Sequence, residues 1–216
     1  MLTGEKKTRV AVLVSGGGTN LQALLDAGAR GELPRVEFAL VLSNVPDAYA
    51  LERARKAGVP TRVITRTGKK RETFTRLVCE ALQAAEIDLV ILAGFMVILS
   101  PQFFETFENR VMNVHPALIP SFCGEGFYGL HVHEAVLDYG VKLTGATVHF
   151  VNAVTDGGPI ILQKAIDILQ EDTPESLQRR VMEQCEWVLL PRAVRLFSEG
   201  RLQVEGRRVK ILEEEL

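Results

Sequence analysis

The stretch NVHPALIPSF (113–122) places an amide, an imidazole and two prolines within eight positions, at the end of an apolar segment. In a strand, positions two apart face the same side. Asn113 and His115 are therefore expected to point together from the strand's end. An amide donor beside an imidazole can stabilise an oxyanion and move a proton at one carbon. Read alone, His115 serves equally well as a structural histidine satisfied by the backbone.

Three other segments carry chemistry. TDGGP (155–159) sets Asp156 before two glycines and a proline. By itself this is a turn aspartate. Next to His115, its carboxylate is expected to raise the imidazole pKa and fix the ring. SGGGTN (15–20) joins an apolar run to a helical pattern. Helix-terminal N–H groups favour an anion there, and glycines let it approach closely. Ser15, Thr19 and Asn20 add side-chain donors. Two phosphate motifs fail, because Leu21 occupies the last position of a dinucleotide fingerprint and no P-loop lysine follows. A monophosphate is the remaining simple ligand, and a tight packing turn is the bland alternative. His131-Val132-His133 begins a predicted helix, where positions two apart do not share a face. With no standard ligand spacing elsewhere, no metal is expected.

The elements that must position these groups alternate. Apolar strands are predicted at 9–15, 37–44, 61–64, 87–95 and 110–116. Between them lie helical patterns at 20–31, 48–58, 70–86 and 100–107, the last starting at Ser100-Pro101. This order implies right-handed βαβ units and an open, mostly parallel twisted sheet with helices on both faces, a single α/β domain with a Rossmann-like N-terminal half. In such sheets, ligands bind at the strands' carboxyl ends. A helix at 131–140, paired strands at 142–151 and 159–168, and a helix from Thr173 to Gly200 follow, with Pro191 expected to break or kink the last helix. RLQVEGRRVKIL (201–212) reads as a hairpin and EEEL (213–216) as a solvated tail.

Composition fits this reading. The 216 residues suffice for one core, with 47% hydrophobic and 24% charged residues. A net charge of −2 without a basic block argues against a nucleic-acid surface. No apolar run reaches membrane-spanning length, and MLTGEKKTRV leads into no secretory signal. Three widely spaced cysteines, Cys79, Cys123 and Cys185, fit a reduced cytoplasm better than a disulfide framework.

VLVSGGGTNLQALLDA, VLSNVPDAYALERARKAGVP, LAGFMVILSP, NVHPALIPSF and TVHFVNAVTDGGPIILQ, in that order, resemble the phosphoribosylglycinamide formyltransferases, folate-dependent enzymes of purine synthesis. The resemblance implies transfer of the formyl group of 10-formyltetrahydrofolate, a co-substrate, to the amine of glycinamide ribonucleotide, without a metal. Asn113, His115 and Asp156 match the family's catalytic trio. Gly18, Thr19 and Asn20 match the segment that holds the ribonucleotide phosphate, and Glu186 an acidic residue contacting the same substrate. Arg71 matches a basic residue near the folate's glutamate end. Met96, Val97, Ile98 and Leu99 match a folate-lining segment, and Val151 to Asp156 a loop that reads the pterin.

The resemblance also implies a division of labour, with residues 1–108 binding phosphate and 109–216 carrying catalysis and folate. A monomer or homodimer acting on small molecules is expected, with no nucleic acid and no membrane. Val97 stands where Arg is common, SFCGEGFYGLH is longer than the usual loop, and Glu186 is followed by Trp187 rather than the common His. Two relatives share the fold. Formyltetrahydrofolate hydrolases usually add an N-terminal domain, and methionyl-tRNA formyltransferases a basic C-terminal one. A catalytically dead binding module is the remaining alternative.

Overall fold

The protein was analysed as a computed structural model that describes residues 6–213. The expected tail lies outside the described residues beyond Glu213, as do residues 1–5 of the segment read for a leader.

The first half alternates as the hydrophobic runs dictate. Strands β1 (Thr8–Val14), β2 (Val36–Ser43), β3 (Thr61–Val63), β4 (Leu89–Leu92) and β5 (Val111–His115) alternate with α1 (Thr19–Ala29), α2 (Tyr49–Lys56), α3 (Arg71–Ala84) and α4 (Pro101–Thr106). The second half contains α5 (Leu130–Tyr139), β6 (Leu143–Phe150), β7 (Ile160–Asp167), α6 (Pro174–Val181), a π-helical turn (Met182–Glu186), α7 (Trp187–Ser198), β8 (Leu202–Glu205) and β9 (Arg208–Ile211). Among the described residues the strands form one sheet in the order β3-β2-β1-β4-β5-β6-β7-β9-β8. The strands from β3 to β5 pair in parallel, β6 runs antiparallel to β5 and β7, and β9 pairs parallel to β7.

Both faces of the sheet are covered. Val10, Val12 and Val14 of β1 join α1, α2, α5, α6 and α7 in one core, while Ala11 and Leu13 join α3 and α4 in the other. A strand buried on both sides needs apolar residues at every position, which is why β1 reads as a continuous run. Burying one such side chain contributes roughly 1.5–3 kcal/mol.

The strand order reverses between β2-β1 and β4-β5. The loops after β1 and β4 therefore flank a crevice at the sheet's carboxyl edge. The sequence suggests a strand through Phe95, but β4 ends at Leu92. Ala93 N–H still bonds Leu13 C=O at 2.9 Å, and the chain then leaves the sheet to build that edge.

The expected break at Pro191 is not there. Pro191 lies inside α7, and the irregularity is the π-helical turn just upstream. The wider turn relieves the crowding that a proline ring imposes on the preceding turn of a regular helix. Thr173 starts α6 with a reciprocal capping box to Ser176.

Candidate active site

β5 carries Met112 and Val114 into the larger core, which leaves Asn113 and His115 on its other side. Antiparallel β6 places His149 directly opposite Asn113, and the two side chains meet at 3.3 Å, Nδ2 to Nε2. His149 Nδ1 donates to Phe150 C=O at 2.8 Å, so in the neutral ring Nε2 is the acceptor that orients the Asn113 amide. His149 is fully buried. His149 is not among the residues expected from the sequence. Its signal was a histidine inside the apolar strand TVHFV, a burial that demands a partner.

Asp156 closes the cluster from the β6–β7 loop. Its Oδ1 lies 3.6 Å from His149 Nε2 and its Oδ2 lies 3.7 Å from His115 Nδ1. Oδ2 also accepts Gly124 N–H at 2.9 Å. Burial pushes the Asp156 carboxyl up. Contact with His149, the Gly124 N–H and attraction to the protonated forms of His115 and His149 outweigh it, and the carboxyl sits below its ordinary value.

The His115 expectation needs correction. Burial lowers its pKa, and this outweighs the opposing pull of Asp156 and of Phe122 C=O. At 3.7 Å the carboxylate raises the imidazole pKa by its charge, without a hydrogen bond, and by less than burial lowers it. His115 is therefore held neutral. Its Nε2 donates to Phe122 C=O at 2.8 Å. Phe122 adopts φ 48°, strained for a bulky residue, and so aims that carbonyl at the ring.

The long segment between Pro116 and Leu130 packs over this cluster. The Thr147 hydroxyl donates to Ala117 C=O and accepts Ile119 N–H, and Gln163 Nε2 donates to Ile119 C=O. The Phe122 ring meets the edges of Phe127 and Tyr139.

Across the crevice lies the glycine loop. Gly18 takes φ 73°, and a Cβ there would sit 2.6 Å from Ala50 Cβ, so only glycine fits. Thr19 is exposed at the start of α1, with its hydroxyl 3.8 Å from Met182 Sδ. Asn20 Nδ2 donates to Glu186 Oε2 at 2.7 Å. Asn20 Oδ1 is buried with no protein partner, an acceptor fitting a hydroxyl-bearing ligand. Burial pushes Glu186 up to about 7, against the Asn20 bond, which lowers it. The π-helical turn brings Glu186 to face α1.

Ser15 does something the sequence did not suggest. Its hydroxyl donates to Asn44 at 2.6 Å and accepts Met96 N–H at 2.8 Å, tying three loops together. In the segment after β4, Met96 and Ile98 are exposed, Val97 is half-buried against the smaller core, and Leu99 is buried in it. The Leu99 side chain is thus withdrawn from the crevice surface. Met96 and Ile98 present exposed apolar surface beside the loop after β1. Val151 packs on the same core, its N–H on Val111 C=O at 2.8 Å. Arg71 begins α3 and is exposed, 3.6 Å from Glu72. His131 is exposed and meets Glu134 at 2.9 Å, while His133 is fully buried. The described residues hold no group of three or more His, Cys, Asp or Glu fit for a metal.

Glu186 and His133 tie stability to pH with opposite signs. A carboxyl raised to about 7 in the fold stabilises below its unfolded pKa and loses that contribution as pH rises through 7. His133, lowered to about 4 chiefly by burial, contributes above its unfolded pKa and loses that contribution as pH falls toward 4. Glu186→Gln is therefore expected to gain about 3 kcal/mol relative to the parent as pH rises from 4.5 to 7. Urea unfolding at several pH values measures this difference. A flat difference would mean that Glu186 is already ionised in the fold.

A family model described as formyl transferase matches residues 8–194. The phosphoribosylglycinamide formyltransferase of Haemophilus influenzae is 38% identical over 198 residues, 91% of this chain and 90% of that protein. The chain belongs to the phosphoribosylglycinamide formyltransferase family. A solved formyltransferase of this kind, glycinamide ribonucleotide transformylase 1 from Symbiobacterium toebii, superposes with a TM-score of 0.89 at 46% identity, covering 98% of this chain and all of that one. A formyltetrahydrofolate deformylase from Pseudomonas syringae has the same fold, with a TM-score of 0.87 but 28% identity, and this chain covers 67% of it. The formyltransferase chain also spans 20% of the trifunctional purine biosynthetic protein of Bos taurus, at 44% identity. No helix among its described residues is long and apolar enough to cross a membrane.

Proposed function

We infer that the protein transfers the formyl group of 10-formyltetrahydrofolate to the amine of glycinamide ribonucleotide, in purine synthesis. The observation that carries the site assignment is the convergence of Asn113, His115, His149 and Asp156 at the junction of β5 and β6, each within 3.7 Å of another member.

Bound 10-formyltetrahydrofolate supplies an electrophilic formyl carbon. Asn113 spends one amide N–H on His149 and has a second for the formyl oxygen as negative charge develops there. Neutral His115 accepts the proton of the attacking amine at Nδ1, directly or through water, and Asp156 stabilises the resulting imidazolium. The proton then passes to the folate nitrogen as its bond to the formyl carbon breaks, and the tetrahedral intermediate collapses to the formylated ribonucleotide and tetrahydrofolate. Much of the acceleration comes from holding both substrates in attack geometry.

Residues 1–108 hold the ribonucleotide phosphate at Gly18, Thr19 and Asn20, with Ser15 bracing the loop and Glu186 reaching back from residues 109–216. The folate lies along Met96–Leu99 and the 151–156 loop, with its glutamate end toward Arg71. Partners are these two small molecules, and the protein acts as a monomer or homodimer. The unpaired Cys79, Cys123 and Cys185 support a reducing, cytoplasmic setting.

The deciding experiment follows release of deformylated folate with and without glycinamide ribonucleotide. Release only with the ribonucleotide is expected. Release to water alone would assign the hydrolase, the reading favoured by the deformylase of the same fold. Asn20→Ala is expected to raise the KM for the ribonucleotide about tenfold with kcat little changed, since it strands a buried carboxyl at the binding edge. An unmoved KM would remove Asn20 from that role.

A further inference from the structure

The phosphate reading of SGGGTN leaves open what orients its N–H groups, since a chain this rich in glycine is free to turn its peptide planes either way. The answer lies on α2, outside the loop. Ala50 N–H donates to Gly16 C=O at 3.1 Å. Arg53 Nε–H donates to Gly17 C=O at 2.8 Å, and Arg53 Nη1 donates to Gln22 Oε1 at 2.9 Å. The guanidinium also stacks on the Tyr49 ring, 4.9 Å from its centre, which holds the fork in place.

In a trans peptide, the C=O and the following N–H point in opposite directions. Both carbonyls are drawn toward α2. The N–H groups of Gly17 and Gly18 must therefore point away from it. The loop is uncrowded at these residues, since a Cβ on Gly16 or Gly17 would meet no atom within 4 Å. Two successive N–H groups facing one side form an anion nest.

We propose that Arg53 is a positioning residue for the ribonucleotide phosphate, acting through the Gly16-Gly17-Gly18 peptide planes rather than by touching the phosphate. This rests on the proposed function. The guanidinium suits the task because its planar fork grips a carbonyl and an amide oxygen at once, which an ammonium on a flexible stem does not reproduce.

The test compares Arg53→Met, which keeps an unbranched apolar stem and removes the guanidinium, with Arg53→Lys, which keeps the charge. The substrates are glycinamide ribonucleotide and its 5′-dephosphorylated analogue. Arg53→Met is expected to raise the ribonucleotide KM and the inhibition constant of inorganic phosphate about tenfold each, with kcat and the folate KM within about twofold. The KM of the dephosphorylated analogue stays where it is, and Arg53→Lys does not restore phosphate binding. Recovery in Arg53→Lys would replace the proposal with a direct charge contact. Equal losses for both substrates would reduce Arg53 to scaffold, and no loss would overturn its role altogether. If the parent enzyme shows no ribonucleotide-dependent release, the proposed function fails instead. Inorganic phosphate then still tests the loop, by whether it raises the unfolding temperature of the parent and not of Arg53→Met.

Discussion

Asp156→Asn is expected to lower kcat about a thousandfold while glycinamide ribonucleotide still binds. The substitution keeps the size of the side chain and an oxygen for Gly124 N–H, so the loop has no steric reason to move. It removes the negative charge that faces both His115 and His149. His115 already has its pKa lowered by burial, and Asp156 is the named charge that opposes this. Without the carboxylate, the imidazolium formed on accepting the amine proton loses its counter-charge in a buried place, where charge is expensive. Single-turnover kinetics paired with calorimetric titration of the ribonucleotide separate the two quantities. Lost binding with intact chemistry would make Asp156 a substrate-holding or structural residue.

Gly158→Ala is expected to cost about 3 kcal/mol of stability and to remove most activity, though it leaves every polar group of the site in place. A Cβ at this position would lie 1.8 Å from Phe150 C=O. Neither side gives way cheaply. Phe150 is buried, and its N–H is bonded to Pro159 C=O at 2.9 Å across the base of the loop. The methyl must wedge the two strand ends apart, and that loop carries Asp156. Its two carboxylate oxygens reach three partners only in the closed geometry, so a small opening separates them. A urea midpoint within error of the parent's would show that the loop base relaxes, and activity would then be retained.

Much of this was legible in the residues. The continuous apolar runs gave the parallel strands, and the two-residue period placed Asn113 and His115 on one side of β5. What stayed hidden depended on contacts between distant segments. His149 meets Asn113 only because β6 turns antiparallel against β5, a pairing set by register rather than by local pattern. The direction of the His115 shift depended on how much burial outweighed one carboxylate, which spacing along the chain does not encode. Leu99 reads as one of four folate-facing residues, yet the chain's path after β4 turns its side chain into the core. Pro191 carries the usual signal for a helix break, but the π-helical turn upstream had already absorbed the irregularity.

Ser15 reads as a phosphate donor in sequence, and in the fold it is a joint as well. One oxygen holds the loop after β1, Asn44 beyond β2 and the main chain of Met96 beyond β4. The two walls of the crevice, to which the proposed function assigns the ribonucleotide and the folate, are thus joined through a single hydroxyl. Occupancy by the first substrate should then stiffen the surface that greets the second. Swapping Ser15 for alanine would cut that link between the two halves of the reaction without deleting any group proposed to touch the formyl carbon.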